Sequence, residues 1–546
     1  MMIPAPTTIG KAVGNNHLND ISVPQPQLAT AEGGLGQKLI ANTLFNFAGQ
    51  GYVVALGLAV VPYMVHRLGA GLYGLIAVAA SLGGFAGLLN LGIGRALSKY
   101  VSELYWQGEL GRIRALFQTA LGTALIGGSS ACVLLISFRE VLSRALFHGD
   151  PSAERFVPFA LLATAFGVLF SMVTEPLLAL PIALQRFDIY NRLSILLSSL
   201  RSLGAVLVLM LGFFVRGVLS LYVLSSAVAL ACYAYYGRKL IPGLTLRPRF
   251  SWSDFKFLFG FSVSVLLLGV TALMVVRLDR VIMGYFLPLA AVAFYVVPYS
   301  LAEKTWMGVG NVTSVIFPSA SELSAMGANE KLRELYVRAT KMVILAALPV
   351  TVVLLGLAEQ ILHYWVSSEF AEHGTVILQL LASGFLFNTL CHVPSVVAMG
   401  IGRPWIAARY SLINAVLNVA GFLLLIPRYG AVGAAWGFFL SQLVLVLPYV
   451  WEVNRLLAVS WRSLISTAYL RPLTCGLGTV ALLAILRPCV DSLLKVFLCC
   501  GAGLSAYALL AVVFAIDRRE RSGVFAQLLR VFRSRSHGAE TTGASG

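Results

Sequence analysis

Apolar stretches of about twenty residues recur along nearly the whole chain, separated by short polar or basic segments. A helix needs about 20 mostly apolar residues to cross roughly 30 Å of hydrocarbon. Fourteen stretches have that character: 41–65, 71–94, 115–137, 157–183, 190–214, 217–236, 255–277, 284–318, 339–358, 374–399, 404–426, 431–450, 465–486 and 492–516. Backbone polar groups in lipid must be satisfied internally, which leaves helices or a closed barrel. These runs are far too long for ten-residue barrel strands. The pattern therefore predicts an all-α polytopic membrane protein with about 14 transmembrane helices. The first stretch carries Asn42, Asn46 and Gln50, and the eighth is long and interrupted.

Charge fixes an orientation. With the N terminus in the cytoplasm, only Arg67, Arg139, Arg144, Arg155, Arg216, Arg280, Arg428 and Arg487 fall in outside loops, out of 40 Lys and Arg. Most of the others fall in inside segments, including the tail arginines from Arg518 to Arg535. Positive charge marks the cytoplasmic side, so both termini are expected inside, which requires an even number of spans.

The chain also repeats itself. Residues 102–120 read SELYWQGELGRIRALFQTA and residues 321–339 read SELSAMGANEKLRELYVRA. Ser102, Glu103, Leu104, Gly108, Arg114, Leu116 and Ala120 recur as Ser321, Glu322, Leu323, Gly327, Arg333, Leu335 and Ala339. Each copy follows the second span of a six-span block. Six is even, so both blocks enter the membrane in one direction, as in transporters built of two rocking halves. The expected organisation is a cytoplasmic segment 1–38, a first lobe 39–240 (spans 1–6), an inter-lobe cytoplasmic loop 241–254 and a second lobe 255–455 (spans 7–12). Two appended spans at 465–516 and a basic tail at 517–546 follow.

Composition agrees. Of 546 residues, 58% are hydrophobic and 12% charged, against about 25% charged in soluble proteins. The net charge of +17 lies in short clusters between spans, so it answers to headgroups and topology rather than to nucleic acid. Seven cysteines show no metal or redox spacing. Residues 1–38 have no apolar core, so no cleavable signal is expected. P-loop, HExxH and GxSxG motifs are absent, and the seven histidines are scattered. No cofactor, metal site or enzymatic step is expected.

Ionisable residues inside spans are expensive and usually face a cavity or a partner. Glu175 precedes Pro176 in span 4, Arg201 lies near the middle of span 5, Arg277 and Asp279 end span 7, and Glu303 and Lys304 sit together in span 8. Arg201 and Lys304 are the leading candidates for a site. The competing reading is structural: Arg201 paired with Glu175, Lys304 with a neighbour. Arg277 also reads as snorkelling to the outer headgroups, and Lys495 as snorkelling or a helix-end contact. Asn414 with Asn418, and Asn388 with His392, recur at helical spacing and read first as glue between helices.

Leu91-Gly92-Ile93-Gly94-Arg95-Ala96-Leu97-Ser98-Lys99-Tyr100, followed by Gly108-Glu109-Leu110 and Arg114, resembles the second-loop region of bacterial polysaccharide biosynthesis proteins. Gly69-Ala70-Gly71-Leu72-Tyr73-Gly74 is similar to their turn between spans 1 and 2. These are oligosaccharide-lipid flippases of the multidrug/oligosaccharidyl-lipid/polysaccharide exporter superfamily. The resemblance covers about residues 38–516. It implies two six-helix lobes and a substrate of undecaprenyl-pyrophosphate-linked sugar units. These pass from the inner to the outer leaflet of the bacterial inner membrane for exopolysaccharide, capsule or O-antigen synthesis. Arg201, Arg277 and Lys304 would attract the anionic head, and Glu175 or Glu303 would serve H+ or Na+ coupling. A polymerase and chain-length proteins are the implied partners. The alternatives are a multidrug or cation antiporter of the same superfamily, although span 1 carries no Asp or Glu, and a flippase for lipid-linked peptidoglycan precursors.

Overall fold

The computed structural model describes residues 32–147, 151–306 and 309–516. Of the described residues, those up to Tyr52 form one compact unit and those from Val53 onward another; the cavities belong to the second. The described residues are almost all helical, without strands, apart from short turns and the irregular stretch 241–251. The helices are α1 (Glu32–Ala86), α2 (Ile93–Trp106), α3 (Leu110–Ser137), α4 (Arg139–Leu146), α5 (Pro151–Glu154), α6 (Val157–Ala183), α7 (Phe187–Met210) and α8 (Phe214–Leu240). Then come α9 (Trp252–Val276), α10 (Leu278–Phe286), α11 (Leu289–Ala302), α12 (Val309–Ala325), α13 (Asn329–Gly356), α14 (Ala358–Trp365), α15 (Ser368–Gly400) and α16 (Pro404–Leu457). The last are α17 (Trp461–Leu464), α18 (Leu470–Leu486) and α19 (Leu493–Leu510).

Among the described residues ten helices are long and apolar enough to cross a membrane. Two of these, α1 and α16, are sharply broken at Gly69 and Gly430 and each hold two of the expected spans. The kinked pair α9–α10 and the interrupted pair α11–α12 cover spans 7 and 8. All fourteen apolar stretches thus fall on helix, consistent with fourteen crossings. The outer surface is apolar, with Leu207, Leu477, Ile485, Phe497 and Phe514 exposed. Such faces suit lipid and not water.

The repeat is built into the backbone. Gly108 and Gly327 both take left-handed conformations, with φ 75° and 67°. Gly108 N–H donates to Tyr105 O and Glu109 N–H to Leu104 O; Gly327 N–H donates to Ser324 O and Ala328 N–H to Leu323 O. This is the same glycine-centred helix C-cap twice, at a position where any side chain is disfavoured. The repeated arginine has the same task in each lobe. Arg114 donates from Nε and Nη2 to Pro242 O at 3.1 and 2.6 Å, just beyond α8. Arg333 Nε donates to Leu457 O at 2.7 Å, at the end of α16. Each guanidinium caps the C-terminal end of its lobe's sixth span, where unpaired carbonyls carry partial negative charge. The outer turns correspond as well: Gly69 matches the turn at Pro288, and Gly212 matches Gly430.

One expected boundary is corrected. The charges at Arg277, Asp279 and Arg280 suggested that span 7 ended there. Instead α9 bends at Arg277 and continues as α10; the true turn is Leu287–Pro288, with Leu287 extended at φ −130°, ψ 155°. Proline disfavours a helical residue before it, so an apolar dipeptide ends the span. The nine residues of α10 rise about 14 Å, which puts Arg277 near mid-membrane rather than at the outer headgroups. Arg280 is likewise not an outside-loop charge. Traced through these turns, residues 102–120 and 321–339 lie at the same end of the bundle.

Further contacts resolve the other polar positions. Asn388 Nδ2 donates to Gln442 Oε1 and Gln442 Nε2 to Asn414 Oδ1, both at 2.9 Å; Asn418 Nδ2 donates to Asn414 Oδ1 at 2.7 Å. This amide ladder joins α15 to α16, so these residues are glue between helices. His392 packs edge-on against Trp306. Lys495 makes an ion pair with Asp491 at 2.5 Å, the expected helix-end contact, and holds the Asp491 carboxyl below the usual carboxylate range. The appended helices α18 and α19 pack on α13, with Leu348 over Gly476 and Val353 over Gly503. The side chains of Asn42 and Asn46 and the tail arginines lie outside the described residues.

Candidate substrate cavity

Three consecutive spans carry polar stripes at helical spacing, and they face one another. On α6 the stripe runs through Thr164, Ser171 and Glu175; on α7 through Tyr190, Ser194, Ser198 and Arg201; on α8 through Tyr222, Ser226 and Tyr233. Between them lie two adjoining chambers of about 340 and 350 Å³. Ser171, Arg201 and Ser226 line both, so Arg201 stands at their junction.

The first chamber is bounded by the second half of α1 from Ile76 and the turn at Gly87 that follows it, by α6 and α8, and by Arg277 from the second lobe. Arg277 reaches it across α1. Its Nη1 donates to Ala80 O at 3.2 Å, and the missing Cβ of Gly84 makes the passage possible: a carbon there would stand 2.7 Å from Arg277 Cδ. Arg201 Nε donates to Ser225 Oγ at 3.0 Å, and Ser225 Oγ donates to Tyr222 O at 2.9 Å. Two guanidinium groups therefore line one chamber that holds no carboxylate. Among the described residues neither forms a salt bridge. A guanidinium has five N–H donors, so both keep donors for a ligand.

The second chamber contains Glu175 with Arg201, but the Arg201–Glu175 ion pair of the competing structural reading does not form. Glu175 Oε2 instead lies 3.4 Å from the point a Gly94 Cβ would occupy, within electrostatic reach of Arg95. Pro176 follows Glu175 inside α6 and, lacking an N–H, frees a carbonyl of the preceding turn.

Lys304 and Glu303 behave differently. Both lie in a 3-10 turn, Glu303–Trp306, that breaks span 8. Lys304 Nζ donates to Glu303 Oε1 at 2.6 Å, so the neighbour reading holds for Lys304, and neither residue lines the two chambers. Glu303 is in electrostatic reach of Arg277 and Arg280. Asp279 is fully buried and accepts from the Arg280 backbone N–H at 2.7 Å. Arg280 lies over the Tyr299 ring, 4.7 Å from its centroid. Arg280 is not legible in the sequence because these positions look like a loop, and the serines and tyrosines are not because the uncharged positions weighed are amides and a histidine.

At the end of the bundle that carries the repeated segments, the start of α9 joins the first lobe. Phe255 and Leu258 pack in one cluster with Ile93, Leu97 and Phe117. Arg112 Nη1 binds Asp254 Oδ1 at 2.6 Å, Thr119 Oγ1 donates to Asp254 Oδ2 at 3.5 Å, and Tyr100 stacks near Phe257.

Residues 68–375 match a family described as polysaccharide biosynthesis protein, and residues 307–498 match the lipid II flippase MurJ family. A protein of Shigella flexneri named as a candidate O-antigen transporter is 22% identical over 429 residues, covering 77% of this chain and 99% of that protein. Among solved structures, lipid II flippase MurJ in an inward closed conformation superposes with a TM-score of 0.67 at 14% identity, covering 86% of this chain and 98% of that one. An inward-facing multidrug resistance MATE family transporter of the MOP superfamily superposes with a TM-score of 0.61 at 17% identity, covering 77% and 96%. With more than half its length matched, the chain belongs to the polysaccharide biosynthesis protein family and carries the helical membrane fold of the MOP transporters.

Proposed function

We propose that the protein flips undecaprenyl-pyrophosphate-linked oligosaccharide units across the bacterial inner membrane by alternating access, with both termini in the cytoplasm. The observation that carries this reading is the mid-membrane pair Arg201 and Arg277, facing one chamber with donors to spare and no lining carboxylate. A pyrophosphate bears charge that hydrocarbon excludes, and guanidinium groups match phosphate oxygens bidentately. In a low-dielectric bundle such donors act more strongly than in water. The isoprenoid tail stays in lipid while the head crosses. No bond is made or broken. The two lobes, taken as 39–240 and 255–455, move relative to each other, and Arg277 is where the second lobe touches the first lobe's chamber.

Lys304 and Glu303 are assigned a supporting place: Glu303, held by Lys304, lies within electrostatic reach of Arg277 and tunes the field there. Coupling to H+ or Na+ is proposed through Glu175, the carboxylate that lines the second chamber. The match of residues 307–498 to the lipid II flippase family favours a second reading, a lipid-linked peptidoglycan precursor as cargo. The two cargoes share a pyrophosphate head and differ in sugar.

The test is a proteoliposome assay with three cargoes: a fluorescent lipid-pyrophosphate oligosaccharide, a lipid-linked peptidoglycan precursor and a cationic drug. Faster movement of the first than the second, relative to empty vesicles, supports the proposal. Drug-dependent proton flux without lipid movement would replace it with the antiporter.

A further inference from the structure

We propose that the second chamber is a subsite for the sugar directly attached to the pyrophosphate. The inference rests on the flippase reading and assigns a task to the serine and tyrosine hydroxyls of this chamber, which that reading does not use. The two chambers differ in chemistry. The first has two guanidinium groups and no carboxylate; the second shares Arg201 but adds Glu175 and a wall of hydroxyls. Pyrophosphate is drawn to the first and repelled from the far end of the second. A neutral, hydroxyl-rich ring has the opposite preference.

Four of the hydroxyls, those of Tyr190, Ser194, Ser198 and Tyr233, are uncommitted. Serine and threonine in membrane helices usually spend their hydroxyl on the carbonyl one turn back. Thr174, Ser199 and Ser226 do so, donating to Phe170 O, Ile195 O and Tyr222 O at 2.7–2.9 Å. Ser194 and Ser198, on the chamber side of the same helix as Ser199, do not. Among the described residues Ser194, Ser198, Tyr190, Tyr233 and Glu175 form no hydrogen bond within the chain. Polar groups in a membrane interior need partners. Here they converge on a space of about 350 Å³, within the range of small-ligand sites. Sugar hydroxyls both donate and accept, as do serine and tyrosine hydroxyls, and Glu175 adds an acceptor for an O–H or N–H. Arg201, lining both chambers, then sits at the junction between sugar and phosphate. The cargo lies with its pyrophosphate between Arg201 and Arg277 and its first sugar between α6, α7 and α8.

The experiment compares two cargoes in proteoliposomes: polyprenyl pyrophosphate carrying the sugar and bare polyprenyl pyrophosphate, the latter also assayed as a competitor of the former. The variant is Ser194→Ala with Ser198→Ala, checked for abundance and melting temperature. The expected result for the double serine variant is a rise of about tenfold in the concentration of sugar-bearing lipid giving half-maximal transport, from two lost hydrogen bonds. The half-maximal or inhibitory concentration of the bare lipid should change less than about twofold, the size of error in such comparisons. Equal shifts for both lipids, or no shift for either, would overturn the subsite while leaving the flippase reading standing. Failure of the wild type to move or bind either lipid would overturn both.

Discussion

Gly84 offers a way to move Arg277 without removing its charge. A Cβ at this position would stand 2.7 Å from Arg277 Cδ and 3.1 Å from Nε, closer than real contacts allow, while the guanidinium is tied to Ala80 O. In Gly84→Ala the arginine must therefore shift, and its head leaves the position facing Arg201. A charge-assisted hydrogen bond contributes about 1.5–3 kcal/mol, so Arg277→Ala should lower transport efficiency about 10- to 100-fold. Gly84→Ala keeps the charge but misplaces it, and is expected to cost about tenfold, the low end of the loss from removing the contact. The decisive variant is the double one. With Arg277 already alanine, the added methyl meets nothing that matters, so Gly84→Ala with Arg277→Ala should equal Arg277→Ala alone, a coupling of about 1.4 kcal/mol. The assay is initial flipping rate against lipid concentration in proteoliposomes. Gly57→Ala is the control, because a Cβ there has open space around it. Additive losses from Gly84 and Arg277 would refute the argument that Gly84 exists to pass this arginine.

Other expectations follow from the same contacts. Gly108→Ala and Gly327→Ala each force a left-handed alanine with no steric neighbour within 4 Å, so each should destabilise by about 1–2 kcal/mol and lower the melting temperature equally; unequal shifts would count against a true structural repeat. Arg112→Ala leaves the largely buried Asp254 carboxylate without its partner, although Arg112 itself is 41% exposed. After allowing for that screening, a loss of about 1–2 kcal/mol is expected, read as a lower melting temperature, and Asp254→Asn in the same chain should restore part of it. Single cysteines at Glu109 and Glu330, in a chain without native cysteines, should both resist a membrane-impermeant maleimide applied from outside, and one reacting while the other does not would break the parallel arrangement of the lobes.

Much of the fold was legible because lipid imposes a length on every span, and the fourteen apolar stretches needed only counting. The repeat was legible because a left-handed glycine and a capping arginine leave residue-level traces, and both proved to be the same device used twice. Span 7 was misplaced for a physical reason. Arg277, Asp279 and Arg280 look like a loop when charge is assumed to face water, but here they are held in the bundle by a carbonyl, a backbone N–H and a tyrosine ring. The site was half legible. Arg201 and Arg277 share a chamber, yet Lys304 pairs with its own neighbour, and no spacing rule distinguishes a free lysine from one bonded to the preceding carboxylate. The stripe Tyr190, Ser194, Ser198, Arg201 is visible at helical spacing, and with its counterparts on α6 and α8 could have located the cavity without the charges.

The central claim is that two unpaired guanidinium groups carry a pyrophosphate head through the membrane. Its most direct test is the rate at which reconstituted wild-type protein and the Arg201→Ala, Arg277→Ala double variant move a lipid-pyrophosphate oligosaccharide between leaflets. The account predicts rapid transfer by the wild type and a fall of at least about 100-fold in the folded double variant, from two lost charge-assisted contacts. Equal rates for the two proteins would contradict it.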